Sequence, residues 1–133
     1  MSSESMTLLL ANYNNGQYLS QCLDSVLAQT SSRWHCIVLD DASTDHSREI
    51  YAKYADEPRI RVEYNPKNLG LIGTLKRLIS MAETDIVGIL DPDDALVPEA
   101  VETILSAYEL NPQAGFIYSN FWYCDSDLKT LRP

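Results

Sequence analysis

The stretch Asp85–Pro98, DIVGILDPDDALVP, decides how this chain is organised. An apolar run, Ile86-Val87-Gly88-Ile89-Leu90, stops at Asp91-Pro92-Asp93-Asp94. Apolar residues then resume, with Pro98 placed to open a helix. A short apolar run bounded by turn residues predicts a buried strand. Three carboxylates at its tip repel one another, and stay ionised together only with positive charge among them or with free access of water. Hard divalent cations take oxygen ligands, so a metal site is one reading. A solvated acidic turn that caps the next helix is the other, and this stretch alone does not separate them.

Working outward, other apolar runs fall into register with this one. Met6–Ala11 predicts a first strand, ended by the turn-rich Asn12-Tyr13-Asn14-Asn15-Gly16. Leu19, Cys22, Leu23, Val26 and Leu27 follow at helical spacing, predicting a helix over 16–29 with Asn14 or Asn15 as its cap. Trp34–Leu39 predicts a second strand ending at Asp40-Asp41, and Ile50, Tyr51 and Tyr54 mark a second helix closed before Pro58. Ile60, Val62 and Tyr64 alternate with charged residues, as in an edge strand wet on one face. After Asn68-Leu69-Gly70 a third helix runs from Leu71 to Ala82. A fourth helix follows the acidic tip, with Pro98 in its first turn, and Asn111-Pro112 stops it. Gly115–Ser119 predicts a fifth strand, and Phe121–Leu131 a further strand with a polar turn at Asp125–Asp127. Regular alternation of strand and helix predicts an α/β fold of Rossmann-like type, a mostly parallel sheet with helices on both faces. The aliphatic strands 1, 2 and 4 fit central positions.

Composition narrows the function. With 133 residues, 45% hydrophobic and 22% charged, the chain suits one domain with a real core. A net charge of −9 argues against a nucleic-acid partner. No apolar run is long enough to span a membrane, and the polar start Met1–Ser5 lacks the form of a signal peptide, so a cytoplasmic location is expected. Cys22, Cys36 and Cys124 are odd in number and share no CxxC spacing, which predicts buried free thiols. His35 and His46 are read as a strand residue and a surface residue at a helix start.

In an open parallel sheet the carboxyl ends of the strands share one edge, where ligands bind. Asn12, Tyr13 and Asn14 follow strand 1; Asp40 and Asp41 follow strand 2; Asn65, Lys67 and Asn68 follow strand 3; Asp91, Asp93 and Asp94 follow strand 4. Polar residues far apart in sequence therefore converge on one rim. GxGxxG, GxxxxGK[ST] and GxSxG are all absent. What remains is a nucleotide-shaped crevice lined by carboxylates. Its simplest use is a metal held by Asp93 and its neighbours that bridges a diphosphate. Tyr13 offers a ring to a base, and Asp41 an acceptor to a base N–H or a ribose.

These residues resemble a family. LLANYNNGQYLSQCLDSVLAQT (9–30 with Leu8 before it), VLDDASTD (38–45), NLG (68–70) and LDPDD (90–94) are similar to the inverting family 2 glycosyltransferases of the GT-A fold. The likeness covers nearly the whole chain. It implies a nucleotide-sugar donor, most often a UDP-sugar, a Mn²⁺ or Mg²⁺ cofactor, a saccharide or lipid-linked acceptor, and a role in cell-envelope polysaccharide synthesis at the inner face of the membrane. By that resemblance Ala11, Asn12, Tyr13, Asp40 and Asp41 hold the base and ribose, joined by Asn68 and Gly70. Asp91, Pro92 and Asp93 form the DxD motif, with Asp93, Asp91 and Asp94 as metal ligands. Ala11 stands where Thr or Ser is common, Leu75 and Lys76 where Arg and Asn are common, and Asn120 where Asp is common. Lys76 is either a phosphate contact or a solvated helix lysine.

Inverting transfer needs a base to take the acceptor's proton, and no acid here matches the family's base. Residues 1–133 are therefore expected to be the N-terminal nucleotide-sugar-binding part of a longer catalytic domain, with the catalytic base beyond residue 133 and possible self-association through an exposed truncated surface. A non-catalytic nucleotide-sugar-binding fragment is the alternative. A phospho-acceptor signalling domain is disfavoured, since it needs an acidic pair directly after strand 1 and a lone Asp after strand 3.

Overall fold

Strands and helices alternate as the hydrophobic spacing requires. The computed structural model describes residues 4–132; Met1–Ser3 of the polar start, and Pro133, lie outside them. The elements are β1 (Met6–Asn12), α1 (Gly16–Leu27), β2 (Trp34–Asp40), α2 (Ser47–Ala52), β3 (Ile60–Tyr64), α3 (Gly70–Met81), β4 (Ile86–Ile89), α4 (Ala100–Leu110), β5 (Tyr123–Cys124) and β6 (Thr130–Arg132). Four parallel strands form a sheet in the order β3-β2-β1-β4, and β5 and β6 form a separate antiparallel hairpin. No helix among the described residues is long and apolar enough to cross a membrane.

Period-two alternation assigns the two faces of the sheet. Leu8, Leu10, Cys36 and Val38 point to one face and pack with Leu19, Leu23 and Val26 of α1, Ile50 and Tyr51 of α2, and Val101 and Leu105 of α4. Leu9, Ile37 and Leu39 point to the other and meet Leu78 and Leu75 of α3. Each fully buried leucine contributes about 2 kcal/mol, so β1 and β2, sealed on both faces, anchor the molecule.

Five expectations are corrected. β4 is an edge strand among the described residues, not a central one: there it pairs with β1 alone, and its Ile89 is 59% exposed because α3 packs over β1 and β2 instead. An aliphatic run does not by itself report how many of its sides are covered. Gly115–Ser119 is not a strand; it has no neighbouring ladder, and Phe116 is 80% exposed. Cys124 is an exposed thiol, because its hairpin lies apart from the core, whereas Cys22 and Cys36 are buried and free. Pro98 sits two residues before α4, whose cap is Glu99. The first helix ends at Leu27, earlier than its apolar spacing suggests. β3 is the edge strand that its alternation predicts.

Candidate nucleotide and metal site

The parallel register lines up the strand ends. Asn12 pairs with Asp40, and Asp40 with Tyr64. Backbone bonds lace the rim beyond them: the Asp41 amide donates to Asn12 O (2.8 Å), and the Asn65 amide to Asp40 O (2.8 Å). On the other side of β1 the Leu90 amide donates to Leu9 O (3.0 Å), which delivers Asp91 to the same edge.

One end of this rim is a buried corner. Asp40, 2% exposed, accepts from the Tyr51 hydroxyl (2.7 Å) and the Ser43 amide (2.8 Å). Asn12 is fully buried, and its amide nitrogen donates to Tyr51 Oη (2.7 Å) and Ser47 Oγ (3.0 Å), with Asp40 Oδ2 at 3.4 Å. Burial, then the Asp40 carboxylate, push the Tyr51 phenol well above its ordinary pKa. The loop after β1 is pinned to the loop after β2. Asn14, at φ 56, accepts the Thr44 amide (2.8 Å), and Asp45 accepts the Gly16 amide (2.8 Å) at the start of α1. Asn15 is the α1 cap by position, yet its side chain makes no capping bond; Asp45 satisfies that end of the helix from across the rim. A Cβ on Gly16 would lie 2.8 Å from Asp45 Oδ2, so a larger residue there would push on the side chain that caps the helix.

Asp41 faces the other way. It is 3% exposed. Its Oδ1 accepts from the Leu69 amide (2.7 Å) and Asn65 Nδ2 (2.8 Å), and its Oδ2 from the Gly70 amide (3.0 Å). Burial raises its pKa, but the bonds from Leu69, Asn65, Thr74 and Gly70 outweigh that and hold the carboxyl below its ordinary range. Gly70 has φ +75, a conformation that favours glycine, and it opens α3 directly under this carboxylate.

The other end of the rim is the acidic tip. Asp91, Asp93 and Asp94 are all exposed, and each can bring one carboxylate oxygen within 4.8 Å of the others. The Asp94 amide closes the turn on Asp91 O (3.0 Å), with Pro92 buried between them. Desolvation, then the charges of Asp93 and Asp91, raise the Asp94 carboxyl above its ordinary pKa. Three hard oxygen donors that disfavour each other's charge fit a divalent cation. Beneath them Cys22 Sγ reaches Asp91 O at 3.6 Å; burial, then Cys36 and the three aspartates, raise this thiol and keep it neutral.

The rim thus brings together Asn12, Tyr13, Asp40, Asp41, Asn68, Gly70, Asp91, Pro92 and Asp93. Ala11 lies within β1 and packs toward α3, Tyr13 is half exposed, and Asn68 reaches Asp41 O (3.3 Å). Lys76 is exposed in the second turn of α3, about 9 Å along the axis from the rim. Tyr51, Ser47, Thr74 and Arg77 complete the corner without any signal in the sequence. Tyr51 reads as an ordinary apolar helix position, and its hydroxyl finds Asp40 only through the fold.

Residues 7–133 match the model of Glycosyl transferase family 2. The chain belongs to this family. It is 31% identical to the chondroitin synthase of Pasteurella multocida over 115 residues, 86% of this chain and 12% of that protein. It is 30% identical to glycosyltransferase GlyG of Streptococcus pneumoniae over 127 residues, 94% of this chain and 42% of that protein. It therefore spans less than half the length of either relative. The fold is that of TarS from S. aureus in a crystal structure of residues 1–349, with TM-score 0.74 and 24% identity over 80% of this chain and 32% of that one. A second structure with this fold is the mannosyltransferase PcManGT from Pyrobaculum calidifontis in complex with GDP-Man and Mn²⁺, with TM-score 0.63 and 23% identity over 68% of this chain and 28% of that one.

Proposed function

We propose that residues 1–133 form the nucleotide-sugar-binding part of a metal-assisted glycosyltransferase that moves a sugar from a UDP-sugar to an acceptor hydroxyl with inversion. The observation that carries this reading is the meeting, on one sheet edge, of a buried polar corner around Asp40 and Asp41 and an exposed aspartate triad whose oxygens could share a cation. The relatives support it. TarS has been crystallised with UDP and with UDP-GlcNAc, and PcManGT with GDP-Man and Mn²⁺. The chondroitin and hyaluronan synthases of Pasteurella multocida among the relatives favour a saccharide acceptor.

Tyr13 presents its ring to the base, while Ala11, Asn12 and the Asp40–Asp41 corner, with Asn68 and Gly70, form the wall for base and ribose. Asp91 and Asp93, with Asp94, would hold a Mn²⁺ or Mg²⁺ ion. Such an ion would supply positive charge to offset that of the departing diphosphate. The acceptor's proton must go elsewhere. Asp40 and Asp41 are spent on buried hydrogen bonds and the other three aspartates on the cation, so none of these five is assigned as the base.

Calorimetric titration of UDP with and without Mn²⁺, on the wild type and on Asp93→Ala, tests this. Metal-dependent binding that the substitution abolishes is expected. Equal binding by both proteins would overturn the site.

A further inference from the structure

We propose that Arg77 and Asn65 are positioning residues for the nucleotide end of the crevice, acting through Asp41 on the Asn68-Leu69-Gly70 turn. The proposal deepens the reading above and rests on it, because it takes this turn to border the nucleotide.

A carboxylate offers about four lone-pair positions. Three of those of Asp41, on both of its oxygens, are taken by the Leu69 and Gly70 amides and by Asn65, all from the protein. A ligand N–H would have to reach past these donors to a group that is 3% exposed. Asp41 therefore serves the crevice by fixing the turn. It grips two successive amides of that turn, while its own carbonyl takes the Asn68 side chain (3.3 Å).

What fixes Asp41 lies one layer further from the rim. Asn65 is 4% exposed, and its amide sits between two groups that allow only one orientation. Arg77 Nη1, which can only donate, is 2.6 Å from Asn65 Oδ1. The Asp41 carboxylate, which can only accept, is 2.8 Å from Asn65 Nδ2. The second Nδ2 hydrogen goes to Thr74 Oγ1 at 3.0 Å. Without the guanidinium, the buried Asn65 Oδ1 loses its charged donor, and Asp41 alone is left to hold the orientation of the amide. Arg77 is itself braced by Tyr64 O (3.2 Å) at the end of β3. Lys76, its neighbour, makes no such bond, so the cation that serves this corner is Arg77.

The test combines two measurements on the wild type, Arg77→Ala, Arg77→Lys, Asn65→Ala and the Arg77→Ala/Asn65→Ala pair. Backbone amide NMR without nucleotide reads the Leu69 and Gly70 protons, and calorimetry with Mn²⁺ reads UDP affinity. In Arg77→Ala both amide protons should move upfield, and UDP should bind on the order of tenfold more weakly, as expected when a buried polar group loses its partner. Arg77→Lys should recover part of both effects, since an ammonium can still donate to Asn65 Oδ1. It also keeps the test open should Arg77→Ala fail to fold. The double variant should be no worse than Asn65→Ala, because Arg77 acts only through Asn65. Unmoved Leu69 and Gly70 amides, or additive losses in the double variant, would overturn the positioning role while UDP binding by the wild type stands. A wild type that binds no UDP would overturn the nucleotide reading itself.

Discussion

The two ends of the rim both carry aspartates, and they treat those charges in opposite ways. At the Asp40–Asp41 corner each carboxylate is buried and met by several protein donors. At the Asp91–Asp94 tip each is exposed, and the described residues give the side chains no donor of their own while they crowd one another. A satisfied buried carboxylate stabilises the fold and is a poor ligand. A crowded exposed one does little for the fold and keeps its oxygens open to solvent or a ligand. The same residue type thus divides into anchored and open carboxylates according to whether the backbone around it offers N–H groups.

The largest effect that tests this division is on stability. Asp41→Ala strips the buried Asn65 amide and the part-buried Leu69 and Gly70 amides of their acceptor and should cost on the order of 3 kcal/mol in a urea denaturation. Asp93→Ala should leave the urea midpoint unchanged. A tip substitution as costly as the corner one would erase the distinction between them.

Next comes ligand binding, where the order reverses. Asp93→Ala should abolish Mn²⁺-dependent UDP binding, a loss beyond the roughly 100-fold that removing an outer-shell partner costs. The pH dependence carries the same contrast. Asp41 titrates below its ordinary 3.8 when folded, so its ionised form contributes stability above pH 3.8 that is lost as pH falls through the depressed value. Asp94 titrates above 3.8, so the stability it contributes is present below pH 3.8 and lost as pH rises through the raised value. Asp94→Asn should therefore match the wild type in acid and be slightly more stable at neutral pH, as read by urea midpoints across that range. A variant less stable at neutral pH would mean that Asp94 already has a protein partner.

Much of this was legible in the sequence because parallel strands are written as short apolar runs and their rim as the polar residues that follow. Asp91-Pro92-Asp93-Asp94 and Asp40-Asp41 announce themselves in that way. What the sequence hid is of two kinds. The position of β4 depends on which strand lies beyond it, and Ile86–Ile89 reads the same with or without a neighbour. The division of labour among the aspartates depends on donors far along the chain, such as Tyr51 for Asp40 and Leu69, Gly70 and Thr74 for Asp41. No local pattern couples them. The likeness to the family placed Asp41 against the nucleotide, and only its hydrogen bonds reveal that its oxygens are already taken.

Backbone strain at the corner separates the two ends at a finer scale. Gly70 at φ +75 and Ala42 at φ 62 both occupy the left-handed region, one on each side of the Asp41 anchor. Gly70→Ala adds a Cβ to that conformation and should cost about 1–2 kcal/mol, although open space surrounds the site. Ala42 already bears that strain, held between Asp41 and Ser43, whose amide is bound by Asp40 (2.8 Å). Ala42→Gly should release about 1 kcal/mol of strain and lose about 0.5–1 kcal/mol to the greater freedom of glycine in the unfolded chain. The two nearly cancel, so thermal denaturation should place Ala42→Gly within about 0.5 kcal/mol of the wild type. A clear loss would mean that the Ala42 methyl group packs against something that stabilises the corner. A clear gain would mean that the corner stores more strain than a single left-handed alanine, which would make it the tighter of the two ends by design of its backbone as well as of its hydrogen bonds.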